Sequence, residues 1–128
     1  MEKKCIVSPN GPPALGPYSQ ACRAGNLVFV SGQGPFAKDG SGRVPGTIEE
    51  ETRHALNNLK AVLTDAGTDL AHVVKTTCFL SDMNNFAAFS AVYKEFFTSD
   101  FPARTTIQAG RLPLDILVEV EAIAVIPD

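Results

Sequence analysis

TIEEETRHALNNLKAVLTDAGTDLAHVVKTTCFL, residues 47–80, changes its period halfway along and so decides the fold class. In the first half Ile48, Ala55, Leu56, Leu59, Val62, Leu63 and Ala66 recur at helical spacing, with Glu49, Arg53, Asn57 and Lys60 on the other face. Thr47 and Glu50 read as a capping box, and Gly67 as the stop. The second half, Val73 to Leu80, reads as a strand. Working toward the C-terminus, Ser81-Asp82 opens a second helix whose Phe86, Phe89, Tyr93, Phe96 and Phe97 fall on one side, an aromatic stripe read as core packing. Two further strands, Arg104 to Ala109 and Ile116 to Ile126, are joined by the turn-like RLPLD at 111–115. Toward the N-terminus, Ser19–Arg23 and Leu27–Ser31 read as strands around Ala24-Gly25-Asn26. They follow the turn-rich SPNGPPALGP, whose prolines and glycines exclude a helix, and a short apolar piece from Cys5 to Val7. The order is strand, strand, strand, helix, strand, helix, strand, strand. It predicts an α+β domain with two helices on one face of a mixed sheet, each helix joining parallel neighbours by a right-handed crossover.

The chain has 128 residues, 45% of them hydrophobic and 20% charged, which is room for one domain, 1–128, with one core. A net charge of -3 leaves no basic excess for a general nucleic-acid surface. No apolar run approaches the roughly 18 residues of a membrane span, and the start MEKKCIVSPNGPP lacks the apolar core of a secretory signal. The expectation is a cytoplasmic protein beginning near Met1. Cys5, Cys22 and Cys78 are odd in number and far apart in sequence, so they read as reduced thiols, with Cys78 a small core residue of its strand. His54 and His72 stand in no ligand pattern with them, so no metal site is expected.

Chemistry enters through three charges on strands that otherwise read as core. Arg104 closes FPAR in a stretch of small and β-branched residues, while Glu119 and Glu121 alternate with Val118, Val120 and Ala122. Buried charges are paired, exposed at an edge, or kept for a charged ligand. A guanidinium fork matches a carboxylate, so Arg104 is a candidate anchor for a small carboxylate-bearing molecule. An internal pair with Glu119 or Glu121 is the alternative on these residues alone. The strands carry a second signal: Leu27 and Phe29 oppose Val28 and Val30, and Leu117, Ile123 and Val125 oppose Val118, Val120 and Ile126. Two helices cover one sheet face, so other copies of the chain are expected on the second.

Eight segments in this order resemble the RidA/YjgF family of imine and enamine deaminases. They are LGPYSQA from Leu15, VSGQ from Val30, the helix ending at Gly67, VVKTT from Val73, YKEFF from Tyr93, FPAR ending at Arg104, Leu112-Pro113, and EVEAIAV from Glu119. The resemblance implies a six-stranded, chorismate-mutase-like sheet backed by two helices, assembled as a trimer around a central barrel with sites in clefts between subunits. It implies that Arg104 grips the substrate carboxylate, that Glu119 positions or polarises water, and that Tyr18 lines the pocket with Ser31 and Gly32 as a further wall. Thr106 and Ser90 complete the implied substrate-binding set, and no cofactor is implied. Thr106 stands where many members have cysteine, Ser90 where many have asparagine, and Gly34 where an aliphatic residue is common, so pocket shape is expected to differ.

The implied reaction is hydrolysis of 2-imino or 2-enamino acids, such as the 2-aminoacrylate and 2-aminocrotonate released by pyridoxal-phosphate dehydratases, to 2-oxo acids and ammonia. This is a damage-control activity of the cytoplasm. Because the imine carbon is already electrophilic, the site needs only to hold the carboxylate, present water and stabilise the adduct. A non-catalytic regulator binding small carboxylates in the same cleft is the alternative. A ribonuclease or translation inhibitor is a third reading, against which the acidic balance and the lack of a basic, aromatic face argue.

Overall fold

A computed structural model describes residues 1–128. The strands are β1 (Lys3–Ile6), β2 (Ala21–Ala24), β3 (Leu27–Gln33), β4 (Val73–Leu80), β5 (Ala103–Gln108) and β6 (Val118–Val125), and the helices are α1 (Ile48–Asp65) and α2 (Phe86–Phe96). All six strands form one sheet in the order β1-β2-β3-β6-β4-β5, in which only β4 and β5 pair in parallel. The α2 connection joins parallel neighbours, as expected. The α1 connection does not: β6 lies between β3 and β4 and pairs antiparallel with both. The last strand of the chain thus becomes a central strand, and its apolar run on both sides fits that place.

α1 begins where its capping box says it should. Thr47 accepts from the Glu50 amide while the Glu50 side chain accepts from the Thr47 amide, an arrangement worth about 1 kcal/mol. At the other end Gly67 has φ of 91°, which only glycine adopts without strain. Ala55, Leu56, Leu59, Val62 and Leu63 are fully buried against Val28, Val118, Val120 and Ala124 of the sheet. Each large side chain among them contributes about 1.5–3 kcal/mol by leaving water. α2 starts only at Phe86, after a single 3-10 turn at Met83–Asn85 capped by Asp82.

Two boundaries move for identifiable reasons. Ser19 and Gln20 do not join β2, because the buried Gln20 side chain turns to bond Ser8 and the Pro12 carbonyl. β3 runs on past Ser31 to Gln33 through a bulge, with Val30 opposite Ala122 and Gln33 opposite Val120. The helices occupy one face of the sheet. On the other, Phe29 and Ile107 are 43% and 45% exposed.

Candidate functional site

Register separates the predicted site residues into two groups. Arg104 lies opposite Thr76, and Thr106 opposite Cys78, which itself faces Val120. Thr76, Cys78 and Val120 are buried on the helix side. Alternation along the strands therefore puts Arg104 and Thr106 on that side and Glu119 and Glu121 on the open one. With β4 also lying between β5 and β6, a single chain brings Arg104 to neither acid, and the internal Arg–Glu pair is excluded.

Arg104 sits at the sheet edge beside α2. Its guanidinium carbon is 4.8 Å from the centre of the Tyr93 ring, 5.4 Å from that of Phe86 and 5.7 Å from that of Phe89. Nη2 donates to Ser90 Oγ at 3.3 Å, and no carboxylate pairs with the group. The aromatic stripe therefore does more than fill the core: Phe89, Tyr93 and Phe97 are buried, while Phe86 is exposed and helps to seat the cation. Tyr93 is pinned by a 2.8 Å bond between its hydroxyl and Thr76 Oγ1, and burial raises its pKa. Beneath them burial pushes the Cys78 thiol up to about 11, the pKa of an inert core thiol. Thr106 Oγ1, close to that thiol, is buried without a well-formed hydrogen bond.

The second group lines a cleft of about 510 Å³ on the open side, where Tyr18, Ser31, Gly32, Glu119 and Glu121 meet. Tyr18 is 55% exposed at its mouth. Ser31 donates its hydroxyl to the Ser19 carbonyl at 2.6 Å and so ties β3 to the Tyr18 loop. Gly32 is in the bulge for a steric reason: a Cβ there would meet Glu119 Cδ at 2.7 Å and Oε1 at 2.9 Å. The Glu119 carboxyl is half-buried and has no cationic partner. Burial, and then the charge of Glu121, raise its pKa above the usual glutamate value. Lys75 on the same face donates instead to Thr105 Oγ1 at 2.7 Å. Gly34 is likewise steric, since a Cβ would come within 2.6 Å of Ile116 Cδ1 and 2.9 Å of Phe36 Cε2. The Phe36 ring takes that space and forms a wall of the cleft.

Two buried polar residues of α1 were absent from the sequence reading. Glu51, 1% exposed on α1, accepts from Arg43 Nη2 at 2.6 Å and the Gly46 amide at 3.1 Å with Oε2, and from the Leu117 amide at 2.9 Å with Oε1. Asn58, also buried, donates to the Gly34 and Phe36 carbonyls. A signal for both existed: Glu51 lies three residues after Ile48 and four before Ala55, and Asn58 three after Ala55 and four before Val62. Polar residues in the apolar phase of a helix mark buried hydrogen-bonding duties. No group of three or more His, Cys, Asp or Glu side chains is placed to hold a metal ion.

Comparison with known proteins adds an independent line. Residues 8–126 match the family described as endoribonuclease L-PSP. The chain is 44% identical over 124 residues to a RutC family protein of Pyrococcus abyssi, covering 97% of this chain and 98% of that one. It is 42% identical over 125 residues to the 2-iminobutanoate/2-iminopropanoate deaminase of Escherichia coli strain K12, covering 95% and 97%. The crystal structure of Escherichia coli TdcF with bound serine superposes with a TM-score of 0.89 at 39% identity, covering 95% of this chain and 98% of that one.

Proposed function

The chain belongs to the RidA/YjgF family, and on that premise we propose that it is a deaminase hydrolysing small 2-imino and 2-enamino acids to 2-oxo acids and ammonia. The observation that carries the proposal is a pair of complementary half-sites on opposite sides of one chain. One is a guanidinium seated on aromatic rings with no acid to neutralise it; the other is a cleft holding a raised-pKa carboxyl with no base. Copies of the chain packed through the exposed Phe29 and Ile107 face, as a trimer around a barrel, would set the Arg104 edge of one subunit against the Glu119 cleft of the next. The relatives named for imine deamination and for bound serine support a small, carboxylate-bearing ligand for that cleft.

The chemistry then needs few parts. Arg104 takes the substrate carboxylate through its fork, Ser90 holds one arm of that fork, and Thr106 lies two residues along the same strand face with its hydroxyl buried beside Cys78. An enamine is first protonated at C3 to give the imine. Glu119 orients water toward C2; as the C2–O bond forms, one water proton passes to the carboxylate and the C=N electron pair goes to the already protonated imine nitrogen, which becomes an amine. The carboxyl group then returns its proton to the nitrogen of the tetrahedral adduct, C2–N breaks, ammonia leaves, and the adduct hydroxyl becomes the carbonyl by giving its proton to solvent. A pKa above the ordinary glutamate value suits this two-way traffic. Tyr18 at the mouth shields the adduct.

Release of ammonia and 2-oxobutanoate from 2-aminocrotonate, generated in place by a threonine dehydratase, tests the proposal. Wild type should exceed the spontaneous rate, and Arg104→Ala and Glu119→Gln should not. Mixing the two inactive variants under subunit exchange should restore part of the activity, because some sites would then draw an intact residue from each chain. A folded wild type without acceleration refutes the deaminase reading, and binding of 2-oxobutanoate without turnover would replace it with the regulator.

A further inference from the structure

Cys5 and Cys22, remote in sequence, are direct partners in the β1–β2 ladder. Opposed residues of an antiparallel pair project from the same face with Cα atoms about 4.5–5.5 Å apart, inside the roughly 4.4–6.8 Å range of natural disulfides. Cys5 is exposed, Cys22 is half-buried, and both are free thiols; Cys78 is buried on the helix side. The Ser19 hydroxyl, with Lys3 and the Cys22 thiol, lowers the pKa of the exposed Cys5 thiol, so it is the better nucleophile of the pair.

We propose that Cys5 and Cys22 are an oxidisable cross-strand dithiol, a modification site that closes the 5–22 segment with a reversible disulfide. The oxidant class is a low-molecular-weight disulfide. The Cys5 thiolate attacks one of its sulfurs, the S–S bond breaks, and one small thiolate leaves. Cys22, having given its proton to solvent, then attacks the Cys5 sulfur; the protein S–S bond forms and the second small thiolate departs. Two protein thiols are oxidised, one small disulfide is reduced to two thiols, and no other co-reactant is needed. The closed segment carries Pro12, Pro13, Leu15 and Tyr18, which line the cleft, so oxidation fixes both ends of one side of its mouth. This site is independent of the deaminase reading, since it rests on strand register alone.

The test is equilibration of the full chain with oxidised glutathione, acid quenching, alkylation under denaturing conditions and intact-mass analysis. Wild type is expected to lose about 2 Da, to retain one alkylatable thiol at Cys78, to melt roughly 10 °C higher, and to revert with dithiothreitol. Cys22→Ser is expected to stop at a glutathione adduct on Cys5 and to show no rise in melting temperature. Three alkylatable thiols after oxidation, a persistent glutathione adduct on wild-type Cys5, or a disulfide between chains would each overturn the proposal.

Discussion

One added methyl group at Gly32 asks whether Glu119 works where it stands. In Gly32→Ala the new Cβ would lie 2.7 Å from Glu119 Cδ and 2.9 Å from Oε1, where ordinary contact begins at 3.4 Å. The carboxyl must therefore retreat by about 0.7 Å or more, a displacement of the size that costs on the order of 10²-fold when it moves a catalytic group. Folding should hardly notice. Gly32 is not among the residues with positive φ, the obstructing atoms are the end of a flexible side chain, and alanine restricts the unfolded chain. The expected outcome is a melting free energy within about 1 kcal/mol of wild type with kcat/KM for 2-aminocrotonate down about 100-fold. Kinetics on Gly32→Ala, Glu119→Gln and the double variant, with thermal melts alongside, decide the matter: because both changes strike one group, the double variant should be no slower than the worse single one. Wild-type kcat/KM in a folded Gly32→Ala, or losses that multiply, would refute the assignment of Glu119.

Four other perturbations have defined outcomes. Glu119 has a raised folded-state pKa, so its protonated form favours the fold: that contribution is complete below about pH 4 and is lost as pH rises through the elevated value. Glu119→Gln should accordingly melt higher than wild type at pH 7, with the gap closing near pH 4; a lower melting temperature at pH 7 contradicts this. Glu51→Leu strands the Gly46 and Leu117 amides and the Arg43 cation, and should cost about 3 kcal/mol, or roughly 10 °C by circular dichroism, where a change under 2 °C would deny the clamp its role. Tyr93→Leu removes the ring nearest Arg104 and should raise KM about fivefold at constant kcat, for the roughly 1 kcal/mol of a partly exposed cation–π contact, while Arg104→Lys should lose at least about tenfold in kcat/KM despite its charge; equal kinetics for Arg104→Lys and wild type would remove the fork argument.

What the sequence made legible follows from how local each signal is. The capping box of Thr47 and Glu50, the Gly67 stop and the alternation of β4 are encoded within a few residues, and they reappear in the structure at those residues. The insertion of β6 between β3 and β4 is not local: it depends on which edge of the sheet the last strand meets, and a preference for neighbouring parallel strands pointed the other way. At the site, the types of Arg104 and Glu119 stood out because charges are rare on such strands. Their opposite faces followed only once β4 fixed the register between them. The close contact of Gly32 with Glu119 needed the bulge, which composition does not announce. The pairing of Cys5 with Cys22 needed the ladder partner of a strand that reads as a short apolar piece.

The Glu51 clamp ties the segment ahead of α1 and the start of the last strand to that helix. The Gly46 and Leu117 amides donate to a carboxylate carried by α1, so neither can exchange its hydrogen with solvent until that helix lifts from the sheet. Their protection factors should then match those of the α1 core rather than those of surface loops, and one opening event should govern both. Gly46 and Leu117 lie outside the lining of the cleft, so the clamp holds the segments that carry its walls to α1. Adjustment to side chains of different size falls to Leu15, Tyr18 and Leu114, the exposed groups around its rim.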